Sequence, residues 1–467
     1  MRARRKPIPP DATASWLDTG LQPHSAMNPA SLAPSVPDTE GAPSAGLPLR
    51  FILLGIASLL ASAGCLVVRP DLLATYHYNQ YIVAVTHLFV LGFLLSVITG
   101  AMYQMAPVVL EVTLHSERLG AWHFGLHLTA VAGLVWSFWR WQMFPAIASG
   151  ALLTAGVGLF VYNLARTLRK RPGWDLASAS FGAVLGWLTV TVLAGLYLAV
   201  SKIWAFSPFN PIAAMHAHAH LGVLGAFMVL LVGVSYRLLP MFLLVDLPNP
   251  RRAAFSLIAL NSATLVLFVT LLLDNPWKMA GALLALAGLS AYGLELVALL
   301  RTPGRRTLDG GLRQFFAATG LLAPTALLGL ALTWPGLPVT LLTTQLETVY
   351  GFLALAGVIT LAIVGMLYKI LPFLVWLRTY GPHVGSRRLP ALSDLYSETL
   401  QTAGLWTYLA ALGIVAVAAA LAHEPGVRIG TSLWAFSLAL FALNVGRILS
   451  HAVHPRNPDP KSHGSQS

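Results

Sequence analysis

The sequence predicts an all-α polytopic membrane protein, with about twelve transmembrane helices arranged as three pseudo-symmetric four-helix units. Three observations carry this. Charged residues make up 10% of the 467-residue chain against 56% hydrophobic ones, and the mean hydropathy is +0.71, whereas an ordinary soluble chain carries about 25% charge. Apolar runs long enough to cross a hydrocarbon core of about 30 Å recur along the chain. A pattern in one of these runs then returns twice, at intervals of 133 and 132 residues. A water-soluble globular fold is excluded.

Residues 1–48 are rich in Pro, Ser and Ala, begin MRARRK and hold no apolar core for a signal peptide, so they read as a disordered cytoplasmic tail. The apolar runs follow at about 49–68, 81–109, 121–139, 143–165, 177–199, 211–239, 253–273, 278–300, 314–335, 340–376, 400–422 and 428–449. In lipid every backbone polar group must be bonded internally, so uninterrupted runs of this length are helices. The membrane domain spans 49–450, with units at about 49–170, 177–305 and 314–450, and 451–467 form a second tail.

Net charge is +12, which in a soluble chain would suggest a nucleic-acid partner. Its distribution says otherwise. An even number of spans puts both termini on one side, and 24 of the 29 Lys and Arg fall there, among them Arg166, Arg169, Lys170, Arg171, Arg301, Arg305 and Arg306. The other side holds Arg69, Arg140, Lys202, Lys278 and Arg428. The positive-inside rule then places both termini in the cytoplasm of a cell whose inner (plasma) membrane the chain crosses. No nucleic-acid partner is expected. Cys65 is the one cysteine, so disulfides, thiolate metal clusters and covalent C-x-x-C-H haem attachment are all excluded.

The repeat is read from His87, as HLFVLGFLLSVITGAMYQMAP, with Gly92, Gly100, Tyr103 and Pro107 at offsets +5, +13, +16 and +20. From His220 the sixth span gives Gly225, Gly233, Tyr236 and Pro240 at the same offsets; from Phe352 the tenth gives Gly357, Gly365, Tyr368 and Pro372. At about 100° per residue the four offsets share one face, opposite position zero. Small residues on that face let helices approach closely, which leaves the zero face to bind a ligand.

Position zero is His, His and Phe. His216, His218 and His220 form the run MHAHAHLG in the sixth span, and His87 takes the matching place in the second. Ionisable side chains held in lipid mark function by default. On an ideal helix His216 and His220 lie about 40° apart and His218 points about 160° away, so one helix can serve two sites. His87 and His220 share a depth in the outer half of the bilayer. Weaker candidates are His123 and His127, one turn apart at the inner end of the third span. Glu347 lies near the outer surface and Glu295 near the inner end of the eighth span, where snorkelling is expected.

H-x-H-x-G-x-x-G followed by G-x-x-Y-x-x-x-P resembles the haem-ligand helix of haem-copper oxidase subunit I, nearest to the C-family oxidases and bacterial nitric oxide reductases. The span number, threefold repeat and cytoplasmic termini extend the resemblance over about 49–450. It implies that His220 and His87 hold a low-spin haem b and that His218 is left for a second haem. It also implies an electron donor such as cytochrome c or quinol, further membrane subunits, and a respiratory oxidoreductase role in electron transfer or oxygen or nitric oxide chemistry. Two departures stand out. H-x-H lies in the sixth span rather than the tenth, and the seventh span has no histidine for the family's copper or iron centre, which removes copper of that type. The alternatives are an NnrS-type haem- and copper-containing membrane protein and a transporter whose histidines relay protons.

Overall fold

The computed structural model describes residues 46–171, 173–304, 308–385 and 389–455. Residues 1–45 and 456–467 of the expected tails, and Arg305 and Arg306, lie outside the described residues. Among the described residues the regular structure is helical throughout. Twelve helices among the described residues are long and apolar enough to cross a membrane. They are α1 (Gly46–Val68), α2 (Gln80–Met105), α3 (Glu117–Arg140), α4 (Met143–Leu168), α5 (Leu176–Ser201), α6 (Pro211–Leu243), α7 (Pro250–Leu272), α8 (Lys278–Arg301), α9 (Gly310–Leu332), α10 (Leu341–His383), α11 (Glu398–Ala420) and α12 (Glu424–Val453). Eleven of the twelve end within four residues of the sequence expectation. The exception is α10, which runs seven residues past its expected end at 376. Gly46–Pro48, expected in the tail, already belong to α1, where Leu47 and Pro48 are buried.

The helix starts follow from capping. Asn79, Asn210 and Thr340 close the first turns of α2, α6 and α10 with side-chain oxygens on backbone N–H groups, and Pro211 supplies a fixed φ just inside α6. At the opposite end Asp175 and Asp309, 134 residues apart, cap α5 and α9.

Within each unit the helices pair first with second and third with fourth, and the units join through α4–α5, α8–α9 and α12–α1, which closes a ring. The second helix of each unit is the inner one. In α2, α6 and α10 the apolar windows are 67%, 61% and 61% buried, against 17–50% in the other nine helices. The repeated glycines explain how the inner helices sit so close to their partners. A Cβ on Gly100 would fall 2.7 Å from the Pro48 carbonyl oxygen of α1, and one on Gly365 would fall 2.7 Å from the Gly311 carbonyl oxygen of α9; Gly233 likewise faces Ser180 of α5.

The inner helices share a feature that sequence periodicity missed. Leu88–Leu95, Leu221–Met228 and Leu353–Thr360 are wide π-helical segments, each starting one residue after position zero and each eight residues long. Two are secured by side chains reaching back five residues: Ser96 Oγ donates to the Leu91 carbonyl at 3.2 Å, and Thr360 Oγ1 to the Leu355 carbonyl at 2.8 Å. Because i→i+5 turns take more residues per turn, the ideal 100° step does not hold between offsets +1 and +8.

The two ends of the bundle are the histidine end, where α2, α6 and α10 begin, and the basic end. At the basic end each unit carries the same lock. Asn163 of α4 accepts from the Ser116 N–H at 2.9 Å and donates to its carbonyl at 2.8 Å, fastening the start of α3; Asn444 of α12 treats Ser397 before α11 in the same way, at 2.9 and 3.0 Å. In the middle unit Glu295 of α8 takes this place. It is fully buried, accepts from the Asn249 N–H at 2.7 Å and pairs with Arg252 at 2.6 Å. Glu295 therefore does not snorkel.

Candidate functional site

The inner helices begin at the histidine end, and there the packing opens into a cavity of about 730 Å3, within the roughly 300–1,000 Å3 typical of ligand sites. Its walls are mostly Leu, Val, Ala and Phe. The polar groups that break this lining include His87, His216, His218, His220, Glu347 and Tyr350. All four histidines named from the sequence thus reach one cavity.

Two of them are oriented alike. His87 Nδ1 lies 2.7 Å from the Val83 carbonyl and His220 Nδ1 lies 2.8 Å from the His216 carbonyl, each four residues back. Imidazoles held in this way donate through Nδ1 and present Nε2 as a lone pair, the arrangement that backbone carbonyls commonly impose on metal-ligating histidines.

Their partners differ. His87 faces α3, its ring 4.7 Å from that of Phe138. His220 faces α10, with Nε2 3.3 Å from the Tyr350 hydroxyl and the two rings stacked at 6.0 Å. The three residues at position zero thus meet different neighbours: the third helix of its own unit for His87 and the inner helix of the next unit for His220. Phe352 has a third kind of neighbour, its ring 6.2 Å from Trp434 of α12, the fourth helix of its own unit. His218, two residues back from His220, points the other way. It packs over Gly195 of α5, where an added Cβ would fall 3.0 Å from the imidazole, and it lies within electrostatic reach of His87. His87 and His218 both line the cavity, with His218 turned toward α5 and His220 toward α10.

His216 belongs to the other side, with His220. Its Nε2 lies 3.2 Å from Nε2 of His77, a residue of the α1–α2 connection that the sequence reading did not single out, and His77 Nε2 lies 3.9 Å from the Glu347 carboxylate. Burial holds His77 below the ordinary imidazole range, so it is neutral at pH 7. His77 and Tyr350 had no period or motif to mark them. The signal for His77 was its place in a short connection that must fold back across the cavity mouth.

His123 and His127 are buried instead of interfacial. His127 Nε2 is 2.8 Å from Ser96 Oγ, and His123 Nδ1 is 3.0 Å from the Tyr103 hydroxyl, all within the first unit and away from the cavity lining.

No family model matches the sequence, and no curated protein does. Among solved structures, the chain is similar to a haem-copper terminal oxidase dimer studied by cryo-electron microscopy. The match has a TM-score of 0.58 and 11% identity, and it covers 89% of this chain and 85% of that one. The similarity is one of fold: a twelve-helix bundle like that of a haem-copper terminal oxidase.

Proposed function

We propose that this chain is a membrane-bound b-type haem protein with a redox role, in which His87 and His218 are the axial ligands and electron transfer is the activity. The observation that supports the reading is that both line one apolar cavity from two inner helices, with the His87 Nδ1–Val83 contact leaving Nε2 to a ligand. These residues fit a haem. The cavity has the volume and the dry walls, and two neutral imidazoles satisfy each other's need for a partner in lipid through a shared iron. When bound, the haem would supply one-electron chemistry; the protein supplies ligands, orientation and exclusion of water.

A haem held by two histidines would supply electron transfer rather than gas reduction. The terminal-oxidase fold supports a respiratory setting, with cytochrome c or quinol as donor and other membrane subunits as neighbours. The charge asymmetry supports an inner-membrane location with both termini cytoplasmic and the cavity in the outer half. A second haem on His218 is not part of this reading, because His218 is used for the first.

The test is the reduced-minus-oxidised spectrum of detergent-purified protein with and without carbon monoxide, on wild type, His87→Ala, His218→Ala and His220→Ala. Low-spin haem b bands are expected in wild type and in His220→Ala, and their loss or conversion to high spin in the other two. Low-spin haem lost in His220→Ala and kept in His218→Ala would return the pairing to that read from the sequence. A wild-type protein without haem would overturn the reading and leave the proton-relaying transporter.

A further inference from the structure

On the α10 side of the same cavity lies a cluster with a different composition. His77, His216 and Glu347 each offer one ligand atom, and the three atoms lie within 4.8 Å of one another. We infer that they form a mononuclear site for a first-row divalent transition-metal ion, separate from the His87–His218 pair.

The donor geometry is that of a chelate. Two imidazole nitrogens bound to one ion at about 2.0–2.1 Å and separated by 3.2 Å subtend about 100° at the metal, between the square and tetrahedral values. The carboxylate oxygen, 3.9 Å from His77 Nε2, sits at the end of a flexible side chain and closes on the same ion by a movement of less than 1 Å. Two neutral imidazoles with one carboxylate, and no thiolate or thioether among them, suit Cu2+, Zn2+ or Fe2+ over Ca2+ or Mg2+, and the Irving–Williams order ranks Cu2+ above Zn2+.

The fold holds the three ligands in place before any ion arrives. His77 lies in a connection pinned at both ends and in its middle: Arg69 pairs with Asp71 at 2.8 Å, Asn79 caps α2, and Gln345 Nε2 donates to the Ala74 carbonyl at 2.8 Å. Gln345 and Glu347 are near neighbours on α10, so one helix turn both fastens the connection and supplies the carboxylate. His216 stands one turn before His220, and its backbone carbonyl orients that ring. The nearby cation Lys278 pairs with Asp274 at 3.6 Å and also acts electrostatically on Glu347, whose carboxylate lies 3.9 Å from His77. Neither ligand set shares a residue with the other, so the inference does not depend on haem.

The experiment uses full-length protein in detergent, stripped with a chelator and titrated with Cu2+, the bound metal counted by mass spectrometry with haem iron counted separately. Wild type is expected to take about one Cu2+ per chain with an electron paramagnetic resonance spectrum showing two nitrogen couplings. His77→Gln and Glu347→Gln should each weaken binding at least tenfold, with His77→Gln losing one coupling, while the haem bands and the gel-filtration profile stay those of wild type. His216→Ala keeps the carbonyl that orients His220, so it should lose copper and keep haem. Copper uptake equal to wild type in a His77→Gln, Glu347→Gln double variant would overturn the site, as would wild type that takes up none; the His77–His216 contact would then be a hydrogen bond only. Copper bound at this site in a protein without haem would support the metal site and overturn the haem reading, so the two fail separately.

Discussion

The two ends of the inner helices follow opposite rules. At the basic end the three units are near copies: a tyrosine at +16 on the inner helix, and a buried amide or carboxylate on the fourth helix that holds the start of the third, through Asn163, Glu295 and Asn444. At the histidine end the backbone still repeats, with a π-helical segment at the same place in every unit, but the side chains diverge to His, His and Phe. Symmetry retained in hydrogen bonds marks scaffold, and symmetry kept in backbone but broken in side chains marks where chemistry was placed. The one scaffold position that departs, Glu295 for asparagine, brings its own counter-ion in Arg252, so the lock is preserved.

The comparison is broken most severely at the histidine end. Removing His87 or His218 is expected to abolish low-spin haem altogether while the helical bundle persists, because each contributes to the ligand and neither to the locks. If either substitution instead unfolded the bundle, measured by circular dichroism in detergent, the division into scaffold and site would fail.

At the basic end the effects are on stability. Arg252→Ala leaves the fully buried Glu295 carboxylate without its counter-ion, and breaking a buried pair in this way costs about 3–5 kcal/mol. Glu295→Gln keeps an acceptor for the Asn249 N–H and should cost much less. Thermal unfolding in detergent checks both, and equal losses would mean that the charge is not what the lock uses.

Much of this was legible in the sequence. The spans came from hydropathy, the threefold ring from the spacing of His87, His220 and Phe352, and the close-packed face from Gly100, Gly233 and Gly365. What the sequence did not show has physical causes. A π-helical segment is set by how the inner helices must turn around the cavity, and no residue pattern announces it. The directions in which His87, His218 and His220 turn are set by packing against α3, α5 and α10, which repeat position alone does not carry. His77 and the burial of Glu295 depend on how connections fold over the helix ends, where periodicity carries no information.

The glycines offer a test of intermediate size. Gly365 sits against the Gly311 carbonyl and the Phe315 N–H group of α9, whereas a Cβ on Gly351, fourteen residues earlier on the same helix, would meet nothing within 4 Å. Gly365→Leu should cost on the order of 1–3 kcal/mol by overpacking, and Gly351→Leu close to nothing. Comparable losses in the two thermal midpoints would show that the helix face, and with it the assignment of α10 as an inner helix, is wrong.

The smallest expected effect concerns the caps that open the units at the basic end. Asp175 accepts from the Ser178 N–H at 2.8 Å and from Arg171 at 2.9 and 3.0 Å. Burial opposes its ionisation, but the hydrogen bonds from Ser178 and Arg171 outweigh it and hold the carboxyl below its usual value. A carboxyl depressed in the folded state contributes stability that is fully present above its unfolded value of about 4 and is lost as pH falls through the lower folded value. The group is partly exposed, so the contribution is modest: Asp175→Ala should cost about 1 kcal/mol at pH 7, the usual worth of an N-cap, and the difference from wild type should shrink toward pH 3. Asp309 repeats the cap on α9 but pairs with Lys369 of the inner helix α10, so Asp309→Ala should cost more than Asp175→Ala. The reverse order in paired unfolding curves would mean that the ion pair to the inner helix adds nothing to the cap.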